Sequence, residues 1–134
     1  VYSSMERQTR QRAAIQRVFD ETSRPLDPHE VLLHAQRFVP QLGIATVYRA
    51  LKSLGDEGLI ATVNLPGENP RYERANLHHH HHFQCRSCQR VFDLDGCPGD
   101  VAKLSPRDFQ SLTPPGFTLE DHEIILYGRC EQCA

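Results

Sequence analysis

Apolar positions recur with a helical period through the first half of the chain and with a strand period through much of the second. Ala14, Ile15, Val18 and Phe19 make a stripe at i, i+1, i+4 and i+5, which predicts a helix over about 7–21, closed by Ser23-Arg24-Pro25 because proline pushes its predecessor out of the α region. Asp27 has the character of an N-cap, with Pro28 at the first helical position and Glu30 three residues on. Val31, Leu32, Ala35 and Phe38 then continue a second helix over about 28–38, stopped by Pro40. Val47, Tyr48, Leu51 and Leu54 predict a third over about 45–56, with Gly58 placed for a left-handed turn after it.

Beyond this point the period shortens. Residues 59–63 and 71–74 flank 64–70, a segment rich in turn formers, and read as a β-hairpin. Three helices and a hairpin make a winged helix, in which the third helix enters the major groove of DNA. Its outward side chains would include Thr46, Tyr48, Arg49 and Lys52, able to meet thymine methyls, base edges and phosphates. Tyr48 fits that role and a place in the core equally, since it borders the apolar stripe. Further on, 78–84 leads into a turn at Cys85, 90–94 alternates as a returning strand, and Gly96-Cys97-Pro98-Gly99 breaks it. A helix could run over 100–112, interrupted or restarted at Pro106, and a final strand is expected over 117–128. The fold class is therefore α+β, with a winged-helix DNA-binding domain over 1–74 and a small α/β domain with an antiparallel sheet over 75–134.

Composition adds mainly exclusions. The chain has 134 residues, 39% of them hydrophobic, no Trp, and no apolar run near the roughly 20 residues that span a bilayer, so no membrane role is expected. Residues 1–67 carry eight Lys/Arg against seven Asp/Glu, while 68–134 carry seven against ten. That asymmetry is slight, but Arg7, Arg10, Arg12 and Arg17 gather on the first helix, as a phosphate-facing segment requires and as a solvated helix also permits.

Two Cys-x-x-Cys pairs, Cys85/Cys88 and Cys130/Cys133, match the tetrahedral thiolate cage of structural zinc. Two disulfides are the alternative. The first residues carry no apolar signal segment, which favours metal and a reduced, cytoplasmic setting. The fifth cysteine, Cys97, is expected to be a small buried side chain. Five consecutive histidines, at 78–82, precede the first pair. On a strand, His78, His80 and His82 project to one face and His79 and His81 to the other, so one run can serve two sites. Glu73, Asp93, Asp100, Glu120 and Asp121 are available to complete mixed nitrogen and oxygen shells. Isolated His29 and His34 are expected on helix surfaces.

Taken in order, Gly43-Ile44-Ala45-Thr46-Val47-Tyr48-Arg49-Ala50-Leu51, Tyr72-Glu73, the His run, Cys85-x-x-Cys88, His122 and Tyr127-Gly128-Arg129-Cys130-x-x-Cys133 resemble the ferric uptake regulator superfamily over nearly the whole chain. The resemblance implies a homodimeric repressor of metal-uptake and homeostasis genes that binds double-stranded operator DNA, with a structural zinc and a regulatory Fe2+, Mn2+ or Zn2+. Carried over by position, Cys85, Cys88, Cys130 and Cys133 look like the structural zinc ligands. Glu73, His80 and His82, with Asp93 as a further ligand, look like the sensory site. His79, His81, Asp100 and His122 look like an additional site within the dimerisation domain. Arg10, Thr46, Tyr48, Arg49 and Lys52 are the residues expected to face DNA.

Two departures bear on which metal is sensed. Arg24 stands where many iron and peroxide sensors have a His, and the zinc-sensing branch often has a Cys where Ala75 stands and an acidic ligand near Ala61. The Asp95-Gly96-Cys97-Pro98 layout and the His run are similar to some zinc-uptake regulators. Iron or manganese is the expected signal, zinc the alternative, and peroxide sensing by oxidation at the metal a further branch. A zinc hydrolase is disfavoured by the lack of His-Glu-x-x-His and of a nucleophile with its base, so no enzyme is expected. A metal buffer without DNA affinity is the other rival.

Overall fold

Helix α1 (Ser4–Glu21) lays Ala14, Ile15, Val18 and Phe19 into the core and leaves its opposite face polar, as the stripe requires. It starts three residues before the expected position 7, ten before the stripe begins. These details come from a computed structural model that describes residues 4–75, 80–94 and 106–134. Val1–Leu77 and His78–Ala134 are separate units.

In the first unit, Asp27 caps α2 (Pro28–Ala35) through a reciprocal box. Its Oδ1 accepts from Glu30 N at 2.8 Å, and Glu30 Oε1 accepts from Asp27 N at 3.2 Å. The helix stops at Ala35 rather than at residue 38, since Phe38 N and Val39 N both donate to Ala35 O, at 2.9 and 3.1 Å, and tighten the chain into a turn. Helix α3 (Ile44–Asp56) ends as Gly58 implies. Gly58 adopts φ 75°, its N–H meets Gly55 O at 3.0 Å, and Leu59 N meets Leu54 O at 2.9 Å.

Strands β1 (Ile60–Val63) and β2 (Arg71–Arg74) pair antiparallel, with Ile60 opposite Arg74 and Val63 opposite Arg71. Leu26 joins the outer side of β2 by two 2.8 Å bonds with Tyr72, fastening the segment between α1 and α2 to the wing. Ile15, Val18, Phe19, Leu26, Val31, Ala35, Leu42, Val47, Leu51, Leu54 and Ile60 form the core. Each fully buried aliphatic or aromatic side chain contributes roughly 1.5–3 kcal/mol. The result is a winged helix.

In the second unit, β3 (His81–Cys85) lies between β4 (Val91–Leu94) and β5 (Ile125–Gly128). The β3–β4 pair is antiparallel, with His82 opposite Asp93, but β5 runs parallel to β3, with His82 opposite Ile125. The sheet is thus mixed, not antiparallel as the sequence suggested. The chain between β3 and β5 includes β4 and helix α4 (Pro106–Ser111), long enough for the crossover that a parallel pair demands.

The last strand also covers only the end of the expected 117–128. Gln110 holds the backbone before it off the ladder, its Nε2 donating to Phe117 O at 3.0 Å and its Oε1 accepting from Leu119 N at 2.9 Å. Pro106 begins α4, one of the two roles the sequence allowed it, and the expected residues 100–105 lie outside the described residues. Among the described residues, no helix is long and apolar enough to cross a membrane.

Candidate metal centres and nucleic-acid interface

The turn after β3 and the turn after β5 bring the four cysteines together, their sulfurs all within 4.8 Å of one another. Cys88 Sγ and Cys130 Sγ are 3.8 Å apart. A tetrahedron with zinc–sulfur bonds of about 2.3 Å has edges of about 3.8 Å, whereas a disulfide needs about 2.05 Å. All four thiols are free, and their spacing fits zinc. Gln89, at φ 66°, turns the chain so that its N–H meets Cys85 O at 2.9 Å. Cys88 N and Cys130 N both donate to Cys85 Sγ at 3.4 Å.

Those backbone donors, Cys88 first, lower the Cys85 thiol to about 6. Cys133 goes the other way, raised to about 12 chiefly through its contact with the Cys130 side chain. The cage therefore favours a thiolate at one corner and a proton at another until a cation neutralises the cluster.

Of the five-histidine run, His80, His81 and His82 are described, and His81 turns away from the other two. His80 and His82 turn to one face, where the Nε2 atoms of both stand 3.3 Å from Asp93 Oδ1. Their rings meet edge to face at 5.0 Å. His82 Nδ1, His82 Nε2 and Asp93 Oδ1 are buried without hydrogen-bond partners among the described residues. Buried polar atoms left in this way are costly, and two imidazole nitrogens with a carboxylate oxygen form a donor set for a divalent cation. The residues fit a metal. Glu73, the other expected sensory ligand, is a buried carboxylate on β2 of the first unit.

His81 faces the other side and is fully buried. Its Nδ1 accepts from Ile124 N at 3.0 Å, so in the neutral ring the proton sits on Nε2. The His81 ring stacks on His122 at 5.0 Å, and His122 stacks on Phe109 at 4.7 Å. His79 and Asp100, named with this pair, lie outside the described residues, as do His78 and Cys97.

On the first unit, α3 exposes Tyr48, Arg49 and Lys52, with Thr46 half-buried. Tyr48 is 51% exposed, which places it on the helix surface rather than in the core. Arg49 Nη2 donates to Thr46 Oγ1 at 3.1 Å, and Lys52 pairs with Asp56 at 3.3 Å. A groove of about 550 Å³ runs between α1 and α3, lined by Arg7, Gln11, Arg12, Thr46, Arg49 and Ser53 among others. Arg10 is exposed and lines a neighbouring hollow with Arg7 and Val39.

Two features were not visible from spacing. Arg12 and Arg17 are engaged by partners within the first unit, Arg12 by Ser53 and Glu57, and Arg17 by Glu21 at 2.8 Å and the Phe38 ring at 4.3 Å. Arg24 pairs with Glu30 at 2.5 Å, tying it to the residue that completes the α2 cap. The i, i+4 spacing of Arg17 and Glu21 was the one local signal for either.

Known proteins share this arrangement. The model of the ferric uptake regulator family matches residues 4–127. The ferric uptake regulation protein of Bacillus subtilis is 30% identical over 138 residues, covering 99% of this chain and 89% of its own length. The zinc uptake regulation protein of Mycobacterium tuberculosis is 32% identical over 127 residues, covering 95% and 94%. A zinc-bound manganese uptake regulator of known structure superposes with a TM-score of 0.74 at 26% identity, over 90% of this chain and 87% of that one. Matched along almost its entire length, the chain belongs to the ferric uptake regulator family of metal-responsive DNA-binding transcription regulators.

Proposed function

We propose that this protein is a homodimeric repressor of metal-uptake and homeostasis genes whose affinity for operator DNA rises when Glu73, His80, His82 and Asp93 hold Fe2+ or Mn2+. The observation that carries this reading is the half-buried His80 and the buried His82, whose Nε2 atoms converge on Asp93 Oδ1 at 3.3 Å. Ala61 and Ala75 offer no donor, so the ligand set lacks the thiolate that would favour a softer ion. Zinc is the second reading, favoured by the 32% identity to a zinc uptake regulation protein and by the intrinsic affinity order of divalent ions.

In this account, Cys85, Cys88, Cys130 and Cys133 bind zinc and staple the second unit. His79, His81, Asp100 and His122 form the additional site. Arg10, Thr46, Tyr48, Arg49 and Lys52 contact the duplex, Arg49 at base edges and Lys52 at phosphate. Glu73 belongs to the DNA-binding unit and His80, His82 and Asp93 to the dimerisation unit, so joint ligation restricts their relative orientation to one that fits both half-sites. A coupling of about a hundredfold requires the closed form to be favoured by about 2.7 kcal/mol, modest for several coordinate bonds.

Binding of a labelled duplex across a series of metals tests this reading. The wild type is expected to respond most to iron or manganese, with affinity falling steeply in salt. Glu73→Ala with His80→Ala is expected to abolish the response while the dimer stays folded. A double variant that keeps the full metal response rejects the assignment.

A further inference from the structure

Four arginines line α1, and the structure divides them by what they touch. Arg17 is occupied by Glu21 and Phe38. Arg12 reaches across to α3, where Nη1 donates to Ser53 Oγ at 2.9 Å and Nη2 forms an ion pair with Glu57 Oε2. Ser53 and Glu57 are one helical turn apart, so a single planar guanidinium spans the last turn of α3.

Glu57 is the C-cap of that helix, where the negative end of the macrodipole makes a carboxylate unfavourable. Arg12 supplies the cation that position lacks. The groove beside this contact holds Thr46 and Arg49, two of the candidate duplex-facing side chains.

We infer that Arg12 is a positioning residue for α3: it sets the angle of the recognition helix against α1 through Ser53 and Glu57 and does not contact phosphate, although it lies in the same basic groove as Arg7. The side chains are 34% and 51% exposed, and an ion pair so open to water contributes little to global stability. Its effect falls on geometry, and so on discrimination between sequences.

This inference rests on the proposed DNA-binding function, and its test separates the two. A duplex enriched from a randomised pool by the metal-loaded wild-type dimer is compared with a scrambled duplex of the same composition, over a range of salt, for the wild type, Arg12→Gln, the charge-balanced Arg12→Gln/Glu57→Gln pair and Arg7→Gln. If the wild type enriches nothing, the DNA-binding reading itself fails.

Given wild-type binding, the Arg12 variant and the balanced double variant should lose roughly five- to tenfold in the ratio of selected to scrambled affinity, the scale of one misplaced base contact. Their slope of log affinity against log salt should match the wild type, while Arg7→Gln lowers it by about 0.9. Melting temperatures should stay near the wild-type value. A slope reduced by about 0.9 in both Arg12 variants makes Arg12 a phosphate contact and overturns the inference. So does an unchanged ratio. Should Arg12→Gln fail to fold, Glu57→Gln alone carries the same test, with the same loss of ratio expected and an undiminished ratio contradicting it.

Discussion

His82 and Asp93 face each other across β3 and β4, and their Nε2 and Oδ1 atoms stand 3.3 Å apart without forming a hydrogen bond. Two polar atoms brought this close, buried and left unmatched, are placed for a third party between them. Asp93→Asn preserves the shape of the pocket but removes the charge and one ligand oxygen. It should weaken binding of the regulatory ion at least about tenfold while one zinc per chain is retained. Competition against a chromophoric chelator measures this, and an unchanged affinity removes Asp93 from the ligand shell.

Zinc uptake by the four-cysteine cage should displace protons in a number that depends on pH. Cys85, lowered to about 6, carries no proton to displace above that pH and regains one as the pH falls through it. Cys133, raised to about 12, holds its proton throughout the neutral range and must surrender it to the metal. Zinc affinity therefore declines as the medium is acidified, more steeply below about pH 6. Calorimetry in buffers of differing ionisation enthalpy should count at least one proton released near neutrality, and more at about pH 5. A count that does not rise on acidification contradicts the assigned order.

Cys85→Ser removes the buried corner of that cage and the sulfur that accepts from two backbone N–H groups. Zinc and the cooperative folding of the second unit should be lost together, as zinc content and thermal unfolding would report. A stably folded, zinc-free variant would show that the cysteines do not serve as a staple.

Two substitutions probe the fold away from metal. Asp27→Ala removes the side-chain half of the α2 cap, the Oδ1 that accepts from Glu30 N, and keeps the backbone N–H that donates to Glu30 Oε1, which should cost about 1 kcal/mol. Gly128→Ala places a Cβ 3.0 Å from Phe83 Cζ in β5, with an expected cost of about 1–3 kcal/mol from overpacking. Denaturant midpoints at constant m-value decide both, and a midpoint within error of the wild type refutes either one.

What could be read from the chain was what depends on near neighbours. Asp27, Pro28 and Glu30 marked the start of α2, Gly58 the end of α3, and the turn formers over 64–70 the hairpin, because caps and turns are local chemistry. Alternation along β3 likewise separated His80 and His82 from His81. Pairing between distant segments was not legible in the same way. The parallel placement of β5 depends on a partner some forty residues away, and Gln110 holding residues 117–119 off the sheet has no periodic signature. Arg12 looked like its neighbours on α1 until Ser53 and Glu57 were found beside it.

The central claim is that ligation by Glu73, His80, His82 and Asp93 changes affinity for DNA, and fluorescence anisotropy of a labelled operator duplex tests it most directly. With zinc retained by the four cysteines, adding Fe2+ or Mn2+ should raise affinity about a hundredfold, and a chelator too weak to strip that zinc should reverse the gain. Equal affinity before and after chelation would contradict the account.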